Sequence, residues 1–103
     1  MAYEVEWAES AVAGLVEAIE YIARDSPSYA ASLAIRADRA ASSLSEFPYR
    51  GRVVREYHDL AVREIFVGKS HRLIYRIEAH VVSVIAFVHT ARDLAKYLGE
   101  STQ

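Results

Sequence analysis

Cysteine is absent from this 103-residue chain. That excludes a disulfide scaffold, a thiolate metal site and a cysteine nucleophile, and makes a cytoplasmic protein the default. No apolar run approaches the ~20 residues of a membrane span, so no membrane partner is expected. Met1-Ala2-Tyr3-Glu4 lacks the basic start and apolar segment of a secretory signal. Lysine is scarce, with only Lys69 and Lys96. His58, His71, His80 and His89 are too scattered for a metal-ligand spacing, and no metal or other cofactor is expected. There is no internal repeat and no low-complexity segment.

What is present is a globular composition, 52% apolar and 25% charged, at a length that fits one domain. We place that domain at residues 1–98, with a frayed tail at 99–103. The net charge of −2 hides an asymmetry. Residues 1–49 carry three basic and eight acidic side chains, residues 50–76 seven basic and three acidic, and residues 77–103 two basic and three acidic. The middle segment is a basic island on an acidic chain. It suits an acidic partner segment or a phosphate backbone. The alternative is mutual neutralisation by surface ion pairs.

Tyr3 to Trp7 alternates, which predicts a half-buried strand with Tyr3, Val5 and Trp7 inward. Val12, Leu15, Val16, Ile19 and Ile22 recur at helical spacing, predicting a helix from about Glu9 to Arg24. Ser26 is a good N-cap and Pro27 suits a first helical position, so a second helix starts there. Ala30, Leu33, Ala37, Ala40, Leu44 and Phe47 step along it, and its alanines allow close approach to the first helix. Pro48 and Gly51 end it. Strands are expected over Arg52–Tyr57, Ala61–Val67, His71–Glu78 and Val81–Val88, from their β-branched and aromatic content. Gly68-Lys69-Ser70 is a good turn. Ala79-His80 is a poorer one, since neither residue favours positive φ. Ala91 to Leu98 reads as a short helix. The fold class is α+β: an N-terminal strand, then an antiparallel two-helix hairpin packed on one face of an antiparallel sheet, in the order β-α-α-β-β-β(-β).

The stretch from Val62 to Leu94 carries Arg63, Lys69, Arg72, Arg76, His89 and Arg92 along its strands. Cations buried unpaired are costly, so they belong on an open face or rim. Register decides which of them share a face. If Val67 pairs with His71, Arg63 sits opposite Tyr75, and Arg72 and Arg76 lie on the other face with Glu64. A shift by one residue puts Arg63 with Arg72 and Arg76. The sequence leaves both registers open.

The order of elements resembles the RelE/ParE superfamily of type II toxin–antitoxin toxins. The residues behind this are Pro48-Tyr49-Arg50-Gly51, Val62-Arg63-Glu64-Ile65, His71-Arg72-Leu73-Ile74-Tyr75 and His89-Thr90-Ala91-Arg92-Asp93. They look like the family's Pro-x-x-Gly, Arg-Glu-hydrophobic, Tyr-Arg-hydrophobic-hydrophobic-Tyr and His-x-x-Arg-Asp blocks, in the family's order. His71 stands where the family usually has Tyr. The resemblance implies a bacterial growth-inhibiting toxin, of the kind linked to plasmid stabilization. It is neutralised by a cognate antitoxin, whose partly disordered segment would lie along the helix hairpin and the sheet. Operator DNA is then met only indirectly, through the antitoxin, and a homodimer is compatible with the sequence.

The superfamily implies two activities. RelE-like members cut mRNA on the ribosome by attack of a 2′-OH on the adjacent phosphate. That chemistry needs a base, an acid and cations for the developing charge. The resemblance assigns Arg72 and Arg63 to phosphate, His89 to acid or base work, and Arg92 or Tyr97 to a role near the C-terminus. Each has a structural alternative: Arg72 and Arg76 as cross-strand partners of Glu64, and His89 as a hydrogen-bonded structural side chain. ParE-like members have no nuclease site and poison DNA gyrase. The sequence pI near 6.1 favours the poison, since a protein entering a site walled by rRNA gains from a strong positive field. A third reading is an inactive toxin-derived module that only binds antitoxin.

Overall fold

A computed structural model describes residues 2–90. The expected helix over Ala91–Leu98, the tail at 99–103, and with them Arg92 and Tyr97, lie outside the described residues. Strand β1 (Glu4–Trp7) leads into helices α1 (Glu9–Ala23) and α2 (Pro27–Ser43). Strands β2 (Arg52–Val53), β3 (Val62–Val67), β4 (His71–Glu78) and β5 (Val81–His89) follow. The sheet order is β1-β5-β4-β3-β2. Strands β2 to β5 are antiparallel, and β1 joins parallel to β5, which makes the sheet mixed.

The Ser26 hydroxyl accepts from the Tyr29 N–H at 3.2 Å, and Pro27 opens α2 as expected. The helix stops earlier than the apolar spacing suggests. Ser43 donates its hydroxyl to the Ala40 carbonyl at 2.7 Å, and Phe47 stands 61% exposed beyond the helix end. Ala30, Leu33, Ala37, Ala41 and Leu44 are buried. Together with Leu15, Ala18 and Ile22 of α1, most of that apolar row closes over one face of the sheet: Ile65, Val67, Leu73, Tyr75, Ile77, Val82, Val84 and Phe87. A smaller cluster of Val54, Val62, Ile74, Ala86 and Val88 lies on the other face, packed with Tyr57.

The strand expected over Arg52–Tyr57 is a correction. Only Arg52 and Val53 pair with β3; the chain then turns in a short 3-10 segment at Arg55–Tyr57, and His58 takes φ 51°. Asp59 holds the return, accepting from the Ala61 N–H at 2.9 Å and from Arg76 at 2.6 Å. The turn at Gly68 uses φ +63°, where glycine carries no steric cost. Ala79 takes φ 53°, so the β4–β5 hairpin forms despite its poor turn residue, carried by eight paired positions of apolar strand.

Two details set the faces. Val67 pairs with His71 and Arg63 with Tyr75, the first of the two registers. Between β4 and β5 the register shifts at Ile74/Tyr75: Ile74 pairs with Ala86, and Tyr75 with Val84. Ile85 is the extra residue of a bulge, and its carbonyl accepts from the Ser10 hydroxyl of α1 at 2.9 Å. After the bulge the inward parity of β5 reverses, so Phe87 and His89 face the helices.

The Tyr75 side chain is fully buried, and burial pushes its phenol above the usual value. The hydroxyl donates to the Pro48 carbonyl at 2.7 Å and accepts from the Gly51 N–H at 3.0 Å. A Cβ at Gly51 would stand 2.5 Å from the Tyr75 oxygen and 2.7 Å from the Glu64 carbonyl oxygen. Gly51→Ala is expected to cost about 1–3 kcal/mol by overpacking. Tyr75→Phe costs a similar ~1–3 kcal/mol by leaving two buried groups unpaired. Because they share one contact, the double variant should lose less than the sum in urea melts; additive losses would refute this clasp.

His71 is 6% exposed, stacked on Phe87 at 5.3 Å and edge-on to His89 at 5.2 Å, with its Nδ1 buried and without a hydrogen-bond partner. Burial, and next the His89 charge, lower its pKa from the ordinary 6.5. The fold therefore favours the neutral ring. This contribution is complete above the unfolded value and is lost as pH falls through and below it. Stability should drop between about pH 7 and pH 5, and His71→Phe should flatten that drop. An unchanged pH slope of urea midpoints in the variant would assign the loss to other groups.

Candidate functional site

Register and pleat together bring Arg52, Glu64, Phe66 and Arg72 to the sheet face away from the helices. Arg52 pairs across from Glu64 and Phe66 across from Arg72, so the four form two adjacent rows. Glu64 is 5% exposed, a carboxylate that water does not reach freely. It accepts from Arg72 Nη1 at 3.0 Å and from Arg52 Nε at 2.7 Å. A buried carboxylate survives only with such partners. Arg72 is 8% exposed, and its Nε is buried with no hydrogen-bond partner. The Arg52 guanidinium reaches out over the exposed Phe66 ring at 5.0 Å. Arg55 and Glu56, from the 3-10 turn, complete a cleft of about 560 Å³ with Arg52, Val53, Glu64 and Arg72. Three guanidiniums against two carboxylates leave it with one net positive charge.

The other predicted cations lie elsewhere. Arg63 is on the Tyr75 side of the sheet; its Nη1 donates to the carbonyls of Gly51 at 2.9 Å and Tyr49 at 3.3 Å, and its guanidinium covers the Tyr49 ring at 5.1 Å. Arg76 shares the face of Arg72 but pairs with Asp59, not with Glu64. The Ala61 N–H, and then Arg76, hold the Asp59 carboxyl below its usual range. His89 pairs with His71 on the helix side. Its partner His71 lies four residues along β4 from Tyr75, the partner of Arg63, a separation of about 13 Å along the strand. Arg63, Arg72 and His89 therefore occupy three separate places. Among the described residues no group of three or more histidine or carboxylate side chains could hold a metal ion.

Sequence reasoning missed two features. Arg52 is half of the Glu64 clamp, a pairing set by the β2–β3 register rather than by any motif. A second groove, of about 620 Å³, runs between α1 and the end of β5, lined by Ala13, Gly14, Tyr21, His71, Phe87 and His89. It carried no motif, since it forms only where a helix meets a strand distant in sequence.

The model of the "ParE toxin of type II toxin–antitoxin system, parDE" family matches residues 5–94. Toxin RelE2 of Caulobacter vibrioides is 33% identical over 89 residues, covering 86% of this chain and 97% of that protein. Among solved structures, a chain of the chromosomal ParDE toxin–antitoxin system from P. aeruginosa superposes with a TM-score of 0.71 at 12% identity, covering 85% of this chain and 96% of its own. The toxin–antitoxin complex RelBE2 from Mycobacterium tuberculosis gives 0.61 at 23% identity, covering 89% and 95%. A mutant of the E. coli toxin RelE in the free state gives 0.66 at 18% identity, covering 99% and 98%. Those structural likenesses carry the fold, and the family match over nearly the whole chain carries the membership. The chain belongs to the ParE toxin family of type II toxin–antitoxin systems, within the RelE/ParE superfamily.

Proposed function

We propose that this toxin acts by binding DNA gyrase and poisoning it, without turnover, and that a cognate antitoxin segment neutralises it. The carrying observation is the dispersal of Arg63, Arg72 and His89. In-line attack on a phosphate needs its acid, base and cations around one reacting group. Here Arg72 is held by Glu64 on one face, while Arg63 is held by backbone carbonyls on the other. The near-neutral pI fits the same reading. The antitoxin reading draws support from exposed Val12, Val16, Tyr21 and Ile35 on the helix hairpin and from the α1–β5 groove. The runner-up is RelE-like cleavage of ribosome-bound mRNA, with Arg72 as the phosphate ligand. Its support is the Arg72 Nε, unpartnered at the edge of a cleft shared with Arg52 and Arg55.

Induction in growing bacteria, with RNA ends mapped across the transcriptome and gyrase-linked DNA breaks assayed together, tests this. Gyrase breaks over intact mRNA are expected; new mRNA ends at codon-periodic positions would reject the poison. A substitution test needs care, because Glu64→Ala alone strands a buried Arg72 and should cost about 3–5 kcal/mol. The double variant Glu64→Gln, Arg72→Met removes both charges at similar volume and should cost clearly less in thermal melts. It should remain toxic if gyrase binding is the mechanism. Loss of toxicity in that folded double variant would favour phosphate chemistry at Arg72.

A further inference from the structure

The segment from Phe47 to Gly51 is a surface loop tied down by hydrogen bonds from three sides. The Arg50 N–H closes it on the Phe47 carbonyl at 3.2 Å, and Arg50 Nε donates to the Ser43 hydroxyl at 2.8 Å. The Tyr75 hydroxyl bonds Pro48 and Gly51 from below, and Arg63 bonds the carbonyls of Tyr49 and Gly51 from the side. Pro48 is itself buried. On this base stand two aromatic rings turned to solvent, Phe47 at 61% and Tyr49 at 59% exposure. Arg50 stands next to Tyr49 in the chain, and positions 47–51 hold no acidic side chain. Aromatic and arginine side chains dominate the energetics of protein interfaces. A loop ordered beforehand avoids most of the entropy that binding would otherwise cost.

We propose that the Phe47–Gly51 loop is the element that engages the toxin's target protein, with Phe47 and Tyr49 entering an apolar pocket whose rim carries a carboxylate for Arg50. This rests on the reading that the toxin acts by binding a protein. The loop adjoins β2 and β3, at the β2 edge of the sheet, with β4 between β3 and β5. The groove beside α1, of mixed apolar and charged lining, lies against β5, so the antitoxin surface read above and the target surface are separate. The net positive charge of the loop selects an acidic pocket rim and disfavours a second copy of the same loop.

The test compares wild type with Phe47→Ala, Tyr49→Ala in three assays: growth arrest on induction, inhibition of purified gyrase, and complex formation with the product of the gene adjacent to its own. Both side chains are mostly exposed, so the thermal melt should not move; Phe47→Gln, Tyr49→Gln serves if the alanine variant melts early. The expected result is an intact complex and about 30-fold or greater loss of inhibitory potency, the scale of a hot-spot truncation. A variant that arrests growth as well as wild type overturns the proposal. So does a folded variant that also loses the adjacent gene product, because the loop then belongs to the antitoxin surface. If wild type leaves gyrase untouched while the variant loses growth arrest, gyrase is the wrong target and the loop assignment stands.

Discussion

One inserted residue in β5 decides how the cations of this toxin are distributed. Without the bulge at Ile85, the alternation of β5 would run unbroken and carry His89 to the face of Arg72. With it, His89 lies against His71 under the helices, and Val88 takes the position across from Arg72. The bulge is held from outside the sheet, by the Ser10 hydroxyl on the Ile85 carbonyl. A contact between the first turn of α1 and a strand residue 75 positions later thus goes with His89 and Arg72 lying on opposite faces of the sheet.

The register of β3 on β4 acts in the same sense. Pairing Arg63 with Tyr75 points both to the helix side, where they converge on the Pro48–Gly51 loop. Pairing Phe66 with Arg72 places that arginine on the far face, beside Glu64. A buried carboxylate between two guanidiniums penalises any slip, since a one-residue shift would take Glu64 away from both. The arginines of the basic island are therefore structural first. Arg52 and Arg72 satisfy Glu64, Arg76 satisfies Asp59, and Arg63 satisfies backbone carbonyls, while Arg52, Arg55 and Arg72 also line the cleft.

Much of the fold was legible from patterns short enough to be local. The Ser26-Pro27 start, the alternation of β1, the Gly68 turn and the apolar strands each rest on neighbours within a few residues. The errors fall where local and distant preferences compete. Phe47 continues the apolar spacing of α2, but the helix ends before it at a serine-rich turn, and the loop after it is clasped by Tyr75. The strand expected over Arg52–Tyr57 stops after two residues, where the Asp59 bonds to Ala61 and Arg76 fix a turn instead.

The sequence by itself determined most of the elements within residues 2–90, the α+β class, the basic island and the family blocks, because these depend on side-chain period and composition. It could not determine which cations share a face. Strand faces alternate with a period of two, so a single register choice or a single bulge inverts the outcome. Tertiary structure made that choice, through the burial of Glu64 and Tyr75 and the bond from Ser10 to Ile85. Only there do Arg63, Arg72 and His89 part, and only there is the loop bearing Phe47 and Tyr49 clasped by Tyr75 and Arg63.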